Sequence, residues 1–599
     1  MTDHIDSETG ARCFQTYVAM GDGVRLNTFV FLPPDGGPRY PVILQRTPYG
    51  ITNSGGTANT DVSQGWLPAV EEPLRGSILR GWRNIVRQGY AAVYQDTRGR
   101  FASEGEDRVY ADDASDGWDT LEWISAQEWT NGRVGMSGSS AGATTTYAAA
   151  STRHPSLQAF WAQVGGSSIY DDVVYEGQSI EMERLWLWVA KNIPGLSASH
   201  REAARVRAGL SEAEMDAAAE RAMERYQKLD AARQETPPYT GSEDWMSLPM
   251  AGYPDFSTWQ PFLEDIVTHP APDAFRAAHN FRRTIDIPGF HATTWYDIFL
   301  TSVLAAYSDI QARVGNQRLW IGPNGHYFIY EEQFWPRDPY FEWFDHWLKD
   351  ADSQIMQEPP IHYSPHAWTD DPAGYVAKDW QMAERWPVPA ARPMRLSLSV
   401  DGTLSGEDGS SGVRHFTYDP RDPVPTFGGR NMAIDPGPLD QRPAEAHSNY
   451  GLTYLGSPLE VAMTLAGPVS VSVNISSDCP DIDVVAKLVE VSPDGKATLL
   501  MDGVVRAMYR DGATEPHRLS SGEIVRIKIP LAHIHHTVEA GNRLRVDVSS
   551  SNFPRRARNT NSGNPVLARD TDADIRVARN TVHHGSDAQC YLELLILPD

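Results

Sequence analysis

The stretch RVGMSGSSAGATTTYAAA, residues 133–150, decides the fold class. It begins as a strand-like run, passes through Gly138-Ser139-Ser140-Ala141-Gly142 and continues into small residues typical of a helix. This is the Gly-x-Ser-x-Gly pattern in the strand–turn–helix context of a nucleophile elbow. A turn that sharp crowds the backbone, so only very small residues fit two positions before and after the serine. A Gly/Ser-rich turn can match five residues by chance, but the flanking strand and helix favour Ser140 as a nucleophile.

A serine hydroxyl is a weak nucleophile, so it needs a base, and the base needs an orienting carboxylate. In this type of fold the chain order is Ser, then Asp or Glu, then His. Asp297 ends a strand-like run, and His326 follows another such run and a Gly/Pro-rich loop. Each has a simpler interpretation alone, a helix N-cap for the aspartate and an ordinary loop histidine. Together, in this order and at strand ends, they predict a Ser140–Asp297–His326 triad.

Outward from the elbow, short apolar runs alternate with helical patterns on both sides. Residues 14–20 and 24–32 flank a Gly-Asp-Gly turn and predict a hairpin, while 41–44 and 90–95 predict buried strands. Residues 116–127 have the spacing of an amphipathic helix. This alternation predicts an α/β fold with a parallel sheet covered on both faces, and we assign residues 1–150 and 284–358 to this catalytic core.

Two other regions have a different pattern of helical and strand-like runs. Residues 151–283 interrupt the alternation, are helical over 202–233 and carry many aromatics, which predicts an inserted helical cap. From residue 359 to 599, strand-like runs recur between Gly and Pro and no long helical pattern remains. That spacing predicts a C-terminal β-sandwich or jelly roll. Three parts also fit the length, since 599 residues exceed what one hydrophobic core holds.

Composition excludes several function classes. A formal net charge of -26 disfavours nucleic acid and anionic membranes as partners, because both repel an acidic surface. Three widely spaced cysteines show neither zinc spacing nor a disulfide framework. The polar start and the lack of an 18-residue apolar run indicate neither a signal peptide nor a membrane span. We expect a cytoplasmic protein, and an exposed sandwich face makes a homodimer plausible.

No cofactor or metal is expected. His533-Ile534-His535-His536 alternates as in a strand, which would place His533 and His535 on one face. No cysteine or carboxylate nearby completes a metal site, so a surface or interface strand is the better interpretation. No phosphate loop or dinucleotide fingerprint precedes a helix.

Several further motifs occur in order along nearly the whole chain. They are Arg46-Thr47-Pro48-Tyr49, Asp96-Thr97-Arg98-Gly99, Ala102-Ser103-Glu104-Gly105, Trp295-Tyr296-Asp297, Gly322-Pro323-x-x-His326 and residues 549–555 with Arg558-Asn559. With the run from Trp129 to Gly142, they resemble the cocaine esterase-like, X-Pro dipeptidyl-peptidase-like (CocE/NonD) family of serine hydrolases. The resemblance implies an α/β-hydrolase core, an inserted helical cap and a C-terminal jelly roll.

The resemblance also implies an oxyanion hole formed by the Tyr49 hydroxyl and the backbone N–H of Ala141. Without it, a tyrosine packed in a proline turn would be the simpler interpretation of Tyr49. Such a donor can contribute roughly 3–4 kcal/mol to transition-state stabilisation. Relatives usually have a tyrosine where this chain has Ala141, so the pocket is expected to be wider there.

An ester of a small molecule is the predicted substrate. Family members that bind a free ammonium group need a carboxylate cluster, yet the residues directly after Asp297 are apolar. Asp171, Asp172 and Glu176 are candidate acids, although helix capping or a solvated face explains them better. Aromatic and apolar residues are the candidate lining of an acyl or aryl pocket: Trp186, Trp188, Trp295 and Phe299. The alternatives are an X-Pro dipeptidyl-peptidase or amidase on the same scaffold, and a non-catalytic protein that binds through the β-sandwich.

Overall fold

The computed structural model describes residues 4–34, 37, 39–51, 81–232, 243–253, 256–323, 325–326, 338–366, 379–432, 434–585 and 589–598. Before residue 164 these form seven strands and three α-helices. The strands are β1 (His4–Ile5), β2 (Arg12–Ala19), β3 (Arg25–Leu32), β4 (Tyr40–Thr47), β5 (Ala91–Asp96), β6 (Thr130–Ser139) and β7 (Leu157–Gln163). The helices are α1 (Trp82–Arg87), α2 (Asp113–Ser125) and α3 (Ala141–Ser151). The predicted hairpin is β2–β3, paired antiparallel.

The inserted segment is mostly helical. After a π-helical turn at Ile169–Val174 come a small hairpin of β8 (Tyr175–Glu176) and β9 (Ser179–Ile180) and seven α-helices in the described residues. These are α4 (Met182–Asn192), α5 (Ala198–Ala208), α6 (Glu212–Ala232), α7 (Glu243–Met246), α8 (Phe256–Trp259), α9 (Phe262–Val267) and α10 (Ala274–Ala278). The helical part begins later than residue 151, because the seven residues of β7 belong to the core sheet.

The alternation then resumes as the sequence predicts. The elements are β10 (Gly289–Thr294), α11 (Leu300–Val314), β11 (Gln317–Gly322), α12 (Pro339–Lys349), β12 (Ile361–Tyr363) and β13 (Gln381–Ala383). Since β12 and β13 pair with this sheet, it extends past residue 358, where the sequence placed the domain boundary.

The first sheet has the strand order β1-β2-β3-β5-β4-β6-β7-β10-β11-β12-β13. Neighbours from β5 to β12 are parallel, and both outer ends are antiparallel. Helices α1 and α12 pack on one face, and α2, α3 and α11 cover the other. The carboxyl ends of the parallel strands therefore open at one edge, where ligands bind in such sheets.

The C-terminal part is rich in strands. Its elements are β14 (Arg392–Leu398), β15 (Thr403–Ser405), β16 (Gly412–Tyr418), α13 (Arg442–Glu445), β17 (Leu452–Gly456), β18 (Met463–Ser477), β19 (Asp483–Val491), β20 (Ala497–Arg506), β21 (Val525–Val538), β22 (Arg543–Ser549), β23 (Ala578–His584) and β24 (Tyr591–Ile596). The pairings are nearly all antiparallel and non-sequential, which fits the predicted jelly roll. Within the described ranges no helix has the length and apolarity needed to cross a membrane.

A buried ionic cluster joins the cap to the β-rich part. Arg555 binds Asp502 at 2.5 Å and lies 3.5 Å from Glu176 and 3.7 Å from Glu181. Arg556 pairs with both glutamates. Burying these ions is tolerated because each has partners, whereas a charge left without one would be costly. Glu176 therefore forms ion pairs between the two domains. The expectation that it caps a helix or lies on a solvated face is wrong.

Candidate active site

The turn after β6 has the geometry of a nucleophile elbow. Ser140 lies between β6 and α3 with φ 56° and ψ -121°, a strained conformation for a residue with a side chain. A Cβ on Gly138 would lie 2.0 Å from the carbonyl oxygen of Gly142, so glycine is required there. The strain places the Ser140 side chain above the carboxyl end of the sheet. The N–H of Ala141, the first residue of α3, has no acceptor within the helix.

The three residues predicted as a triad meet in one hydrogen-bonded chain. Ser140 Oγ is 2.9 Å from Nε2 of His326, and Nδ1 of the same ring is 2.8 Å from Oδ1 of Asp297. Because a carboxylate can only accept, Nδ1 carries the hydrogen and Nε2 is left to accept from the serine. The second oxygen of Asp297 accepts from Thr293 at 2.9 Å. This arrangement can remove a proton from the serine hydroxyl.

Burial distinguishes Asp297 from the simpler interpretation of a helix cap. Its side chain is fully buried, and α11 begins three residues later with Phe299 as the capping position. The two residues before it are held by hydrogen bonds. Tyr296 donates its hydroxyl to the carbonyl of Leu499 at 3.1 Å, and the Trp295 indole donates to that of Ser364 at 2.8 Å.

Tyr49 lies beside the serine as the resemblance implies. The indole N–H of Trp188 donates to the Tyr49 hydroxyl at 2.9 Å, and that hydroxyl is also within hydrogen-bonding reach of Ser140. Burial raises the pKa of Tyr49, so the phenol keeps its proton. A tyrosine that accepts from Trp188 and keeps its own hydrogen can donate to charge developing next to Ser140.

The loop that carries Tyr49 is fixed by buried polar side chains. Arg100 Nε donates to the carbonyl of Pro48 at 2.9 Å, and Asp96 accepts from the backbone N–H of Ile51 at 2.9 Å. Burial raises the pKa of Asp96 to about 7. The Asp96-Thr97-Arg98-Gly99 motif thus includes a side chain that holds the oxyanion donor's loop.

A small apolar cavity of about 50 Å³ lies next to the serine. Ser140, Ala141 and Tyr49 line it, together with side chains from the core loop before α2, the cap, the loop after Asp297 and the β-rich part: Val109, Tyr110, Ile169, Val173, Val174, Arg184, Leu185, Trp188, Ile266, Ile298, Phe299 and Met432. A larger groove of about 890 Å³ runs between the cap and the β-rich part, but no triad residue is among its described lining residues.

The structure places two of the four predicted lining residues at this cavity. Trp188 and Phe299 line it, and the Phe299 ring packs edge-on against that of His326 at 5.6 Å. Trp186 does not line it and packs against Tyr253 instead. Side chains two positions apart on an α-helix point about 200° apart around its axis, so Trp186 and Trp188 cannot face the same cavity. Trp295 is also away from the cavity, because its indole anchors the acid loop.

The candidate ammonium-binding acids are engaged elsewhere. Asp171 pairs with Arg276 at 2.5 Å and accepts from Asn280 at 3.1 Å. Glu176 belongs to the interdomain ionic cluster and also binds Arg430 at 2.6 Å. The side chain of Asp172 lies outside the described residues. Neither described acid lines the cavity.

The histidine-rich strand lies between domains. His535 is buried on β21 and packs against Tyr363 of the first sheet, while its backbone carbonyl accepts from the N–H of His366. The interface interpretation is confirmed, and a surface position is wrong for His535. Among the described residues, no group of three or more His, Cys, Asp or Glu side chains is arranged to hold a metal.

Several residues of the site were not identified from the sequence, and three of them have distinct positions. Thr293 fixes the second oxygen of Asp297, and Met432 reaches the cavity from the C-terminal part. Arg184 is the charged residue among the described lining of the cavity. Only Arg184 had a local signal, as a cation in the aromatic and apolar sequence of α4.

Comparison with known proteins agrees with this geometry. Residues 22–328 match the X-Pro dipeptidyl-peptidase (S15) family, and residues 353–593 match the X-Pro dipeptidyl-peptidase C-terminal non-catalytic domain. The cocaine esterase of Rhodococcus sp. (strain MB1 Bresler) is 30% identical over 621 residues, covering 97% of each chain.

Two solved structures share the fold over the whole chain. An α-amino acid ester hydrolase has a TM-score of 0.72 at 22% identity, covering 100% of this chain and 98% of that one. An aminopeptidase from a marine sediment archaeon, Thaumarchaeota archaeon, has a TM-score of 0.72 at 20% identity, covering 100% and 99%. From the family match and the full-length relative, the chain belongs to the X-Pro dipeptidyl-peptidase (S15) family and is a serine hydrolase of the cocaine esterase-like (CocE/NonD) type.

Proposed function

We propose that the protein is a carboxylic ester hydrolase that forms an acyl-enzyme on Ser140. The observation that carries this proposal is the continuous hydrogen-bonded chain from Ser140 through His326 to Asp297, with the Tyr49 hydroxyl beside the serine. This series of hydrogen bonds argues against a non-catalytic binding protein, because binding alone does not require these three side chains to be aligned.

The proposed reaction assigns a role to each residue of the site. His326 Nε2 takes the proton as Ser140 Oγ attacks the ester carbonyl, and Asp297 stabilises the imidazolium that forms. The Tyr49 hydroxyl and the Ala141 N–H donate to the oxyanion of the tetrahedral intermediate. His326 then returns the proton to the departing alcohol, and a water attacks the acyl-enzyme by the same path to release the acid.

The cavity supports an acyl or aryl ester without a free ammonium group. Its described lining is almost entirely apolar, and no carboxylate is part of it. A buried ammonium with no anionic partner would be costly, so a site for an α-amino group is not supported. The relative at 30% identity is named as an esterase, which agrees with this choice.

A second candidate is an X-Pro dipeptidyl-peptidase or amidase, favoured by the family match to residues 22–328. It shares the acyl-enzyme chemistry and differs in the leaving group and in its need to bind an N-terminal ammonium. Hydrolysis of Xaa-Pro-anilides faster than of 4-nitrophenyl esters would favour it.

Labelling and substitution at Ser140 test the proposal. A fluorophosphonate probe should label Ser140, and Ser140→Ala should abolish both labelling and hydrolysis of 4-nitrophenyl acetate and butyrate. Ser139→Ala is the matched control, because it removes the neighbouring hydroxyl, which has only a 3.5 Å contact with Gln163. Retained hydrolysis in Ser140→Ala would refute the assignment.

A further inference from the structure

The wall of the cavity next to Ser140 contains one charged side chain among its described residues. Arg184, on α4, is 6% exposed and lies between apolar neighbours. A guanidinium in such surroundings keeps its charge at neutral pH. An apolar acyl group alone gives no reason for a cation in this position.

Among the residues that the structure describes, the contacts of Arg184 leave its charge without an ionic partner. Nη1 donates to the carbonyl of Ile298 at 3.3 Å and Nη2 to that of Val173, while Nε has no partner. Within the described residues no carboxylate is within ion-pairing distance of it. Glu181, one turn earlier, is taken up by Arg556 and Arg555.

Neighbouring charges of both signs act on Arg184. Burial lowers the pKa of Arg184, and the nearby Arg556 and Arg555 add to that shift, whereas Glu181 and Glu183 oppose it. A buried cation that lacks a counter-ion is costly, and an anionic ligand removes that cost by completing the pair.

Distance limits the kind of ligand. The Phe299 ring contacts both groups, with its centre 5.3 Å from the guanidinium carbon of Arg184 and 5.6 Å from the His326 ring. The guanidinium of Arg184 and the imidazole of His326 thus pack against the same aromatic ring. The cavity of about 50 Å³ has space for a short acyl chain only.

We infer that the cavity selects esters whose acyl group ends in a carboxylate, namely monoesters of short dicarboxylic acids, with Arg184 as the residue that binds the free carboxylate. This rests on the proposed ester hydrolysis at Ser140. Arg184 determines specificity in this scheme and takes no part in proton transfer.

A matched pair of substrates tests the inference. Monoethyl succinate and ethyl 4-methylpentanoate have the same acyl length, with a carboxylate in the first where the second has two methyl groups. We expect kcat/KM, measured as ethanol release, to favour monoethyl succinate. In Arg184→Met this ratio should fall about tenfold to a hundredfold, the effect of losing a hydrogen-bonded charge pair, and Arg184→Lys should retain part of it.

Arg318→Met is the control variant. Arg318 is also 6% exposed, donates to a backbone carbonyl and has an Nε without a partner, but it lies on β11 away from the cavity. This variant should leave the substrate ratio unchanged. An unchanged ratio in folded Arg184→Met would overturn the inference.

The wild-type enzyme provides a test that does not depend on the folding of a variant. Boronic acids add to the serine oxygen, so 3-boronopropanoic acid and 3-methylbutylboronic acid compare the two acyl ends directly. We expect the carboxylated boronate to inhibit at least tenfold more tightly. Equal or weaker inhibition, with the neutral ester hydrolysed normally, overturns the inference alone. Failure of both boronates and both esters would instead count against the proposed function.

Discussion

Removing the hydroxyl of Tyr49 is the sharpest test of the proposed chemistry. Tyr49→Phe keeps the ring and deletes one of two proposed oxyanion donors. The hydroxyl is buried, keeps its proton and is oriented by the indole of Trp188, so it is preorganised. A donor of this kind contributes about 3–4 kcal/mol, and kcat should fall about 10²- to 10³-fold with little change in KM.

A substitution of Trp188 tests the same prediction independently. Trp188→Phe leaves the Tyr49 hydroxyl in place but removes the hydrogen bond that orients it, so we expect a loss of about tenfold, the value of one neutral hydrogen bond. Because both substitutions act through one group, the double variant should be no slower than Tyr49→Phe within about twofold. Additive losses would show that Trp188 acts independently.

The assay is steady-state hydrolysis of 4-nitrophenyl butyrate, with thermal unfolding measured in parallel. Tyr418→Phe is the matched control, because it removes a buried hydroxyl of the β-rich part that has no hydrogen-bond partner among the described residues. It should retain full activity. The reasoning is refuted if folded Tyr49→Phe keeps more than a third of the wild-type kcat.

Three further predictions concern the elbow, the domain interface and the core. Gly138→Ala should lower kcat more than a hundredfold or prevent folding, since the new Cβ would lie 2.0 Å from a backbone oxygen; Gly406→Ala, which has open space, should behave as wild type in the same assays. Arg555→Met should lower the free energy of unfolding by about 3–5 kcal/mol in urea titrations, because it leaves buried carboxylates short of a partner. Burial lowers the pKa of His291 to about 4, from about 6.5 when unfolded. The unfolded chain binds a proton at His291 more tightly than the folded protein does, so this residue's contribution to stability is complete above pH 6.5 and decreases as the pH falls towards 4. Between pH 7 and 4, the free energy of unfolding should therefore fall by about 3 kcal/mol less in His291→Gln than in the wild type. Equal losses in calorimetry would contradict this.

Much of the site was predictable because its signals are local. The elbow depends on glycines within five residues of Ser140, and the strand-end positions of Asp297 and His326 follow from short apolar runs. The hydrophobic periods also separated the core, the helical insertion and the β-rich part. These features need only neighbouring residues, so the sequence carries them directly.

The cavity lining was predictable only in part. Aromatic composition marked α4 and the acid loop, but it could not distinguish Trp188 from Trp186 or Phe299 from Trp295. That distinction depends on the direction in which each side chain leaves its element. Direction is set by how the cap packs on the sheet, which no local pattern specifies.

The sequence by itself determined a serine hydrolase with a nucleophile elbow, an ordered acid and base, and three structural parts, the second inserted into the first. Only the tertiary structure decided that Glu176 and Glu181 pair with Arg556 across the domain interface and that Trp188 orients Tyr49. It also decided that Arg184 lines the cavity with no counter-ion among the described residues. The physical reason is that charge pairing and side-chain hydrogen bonds act through space, here between residues 139 to 380 positions apart, whereas sequence patterns record only neighbours along the chain.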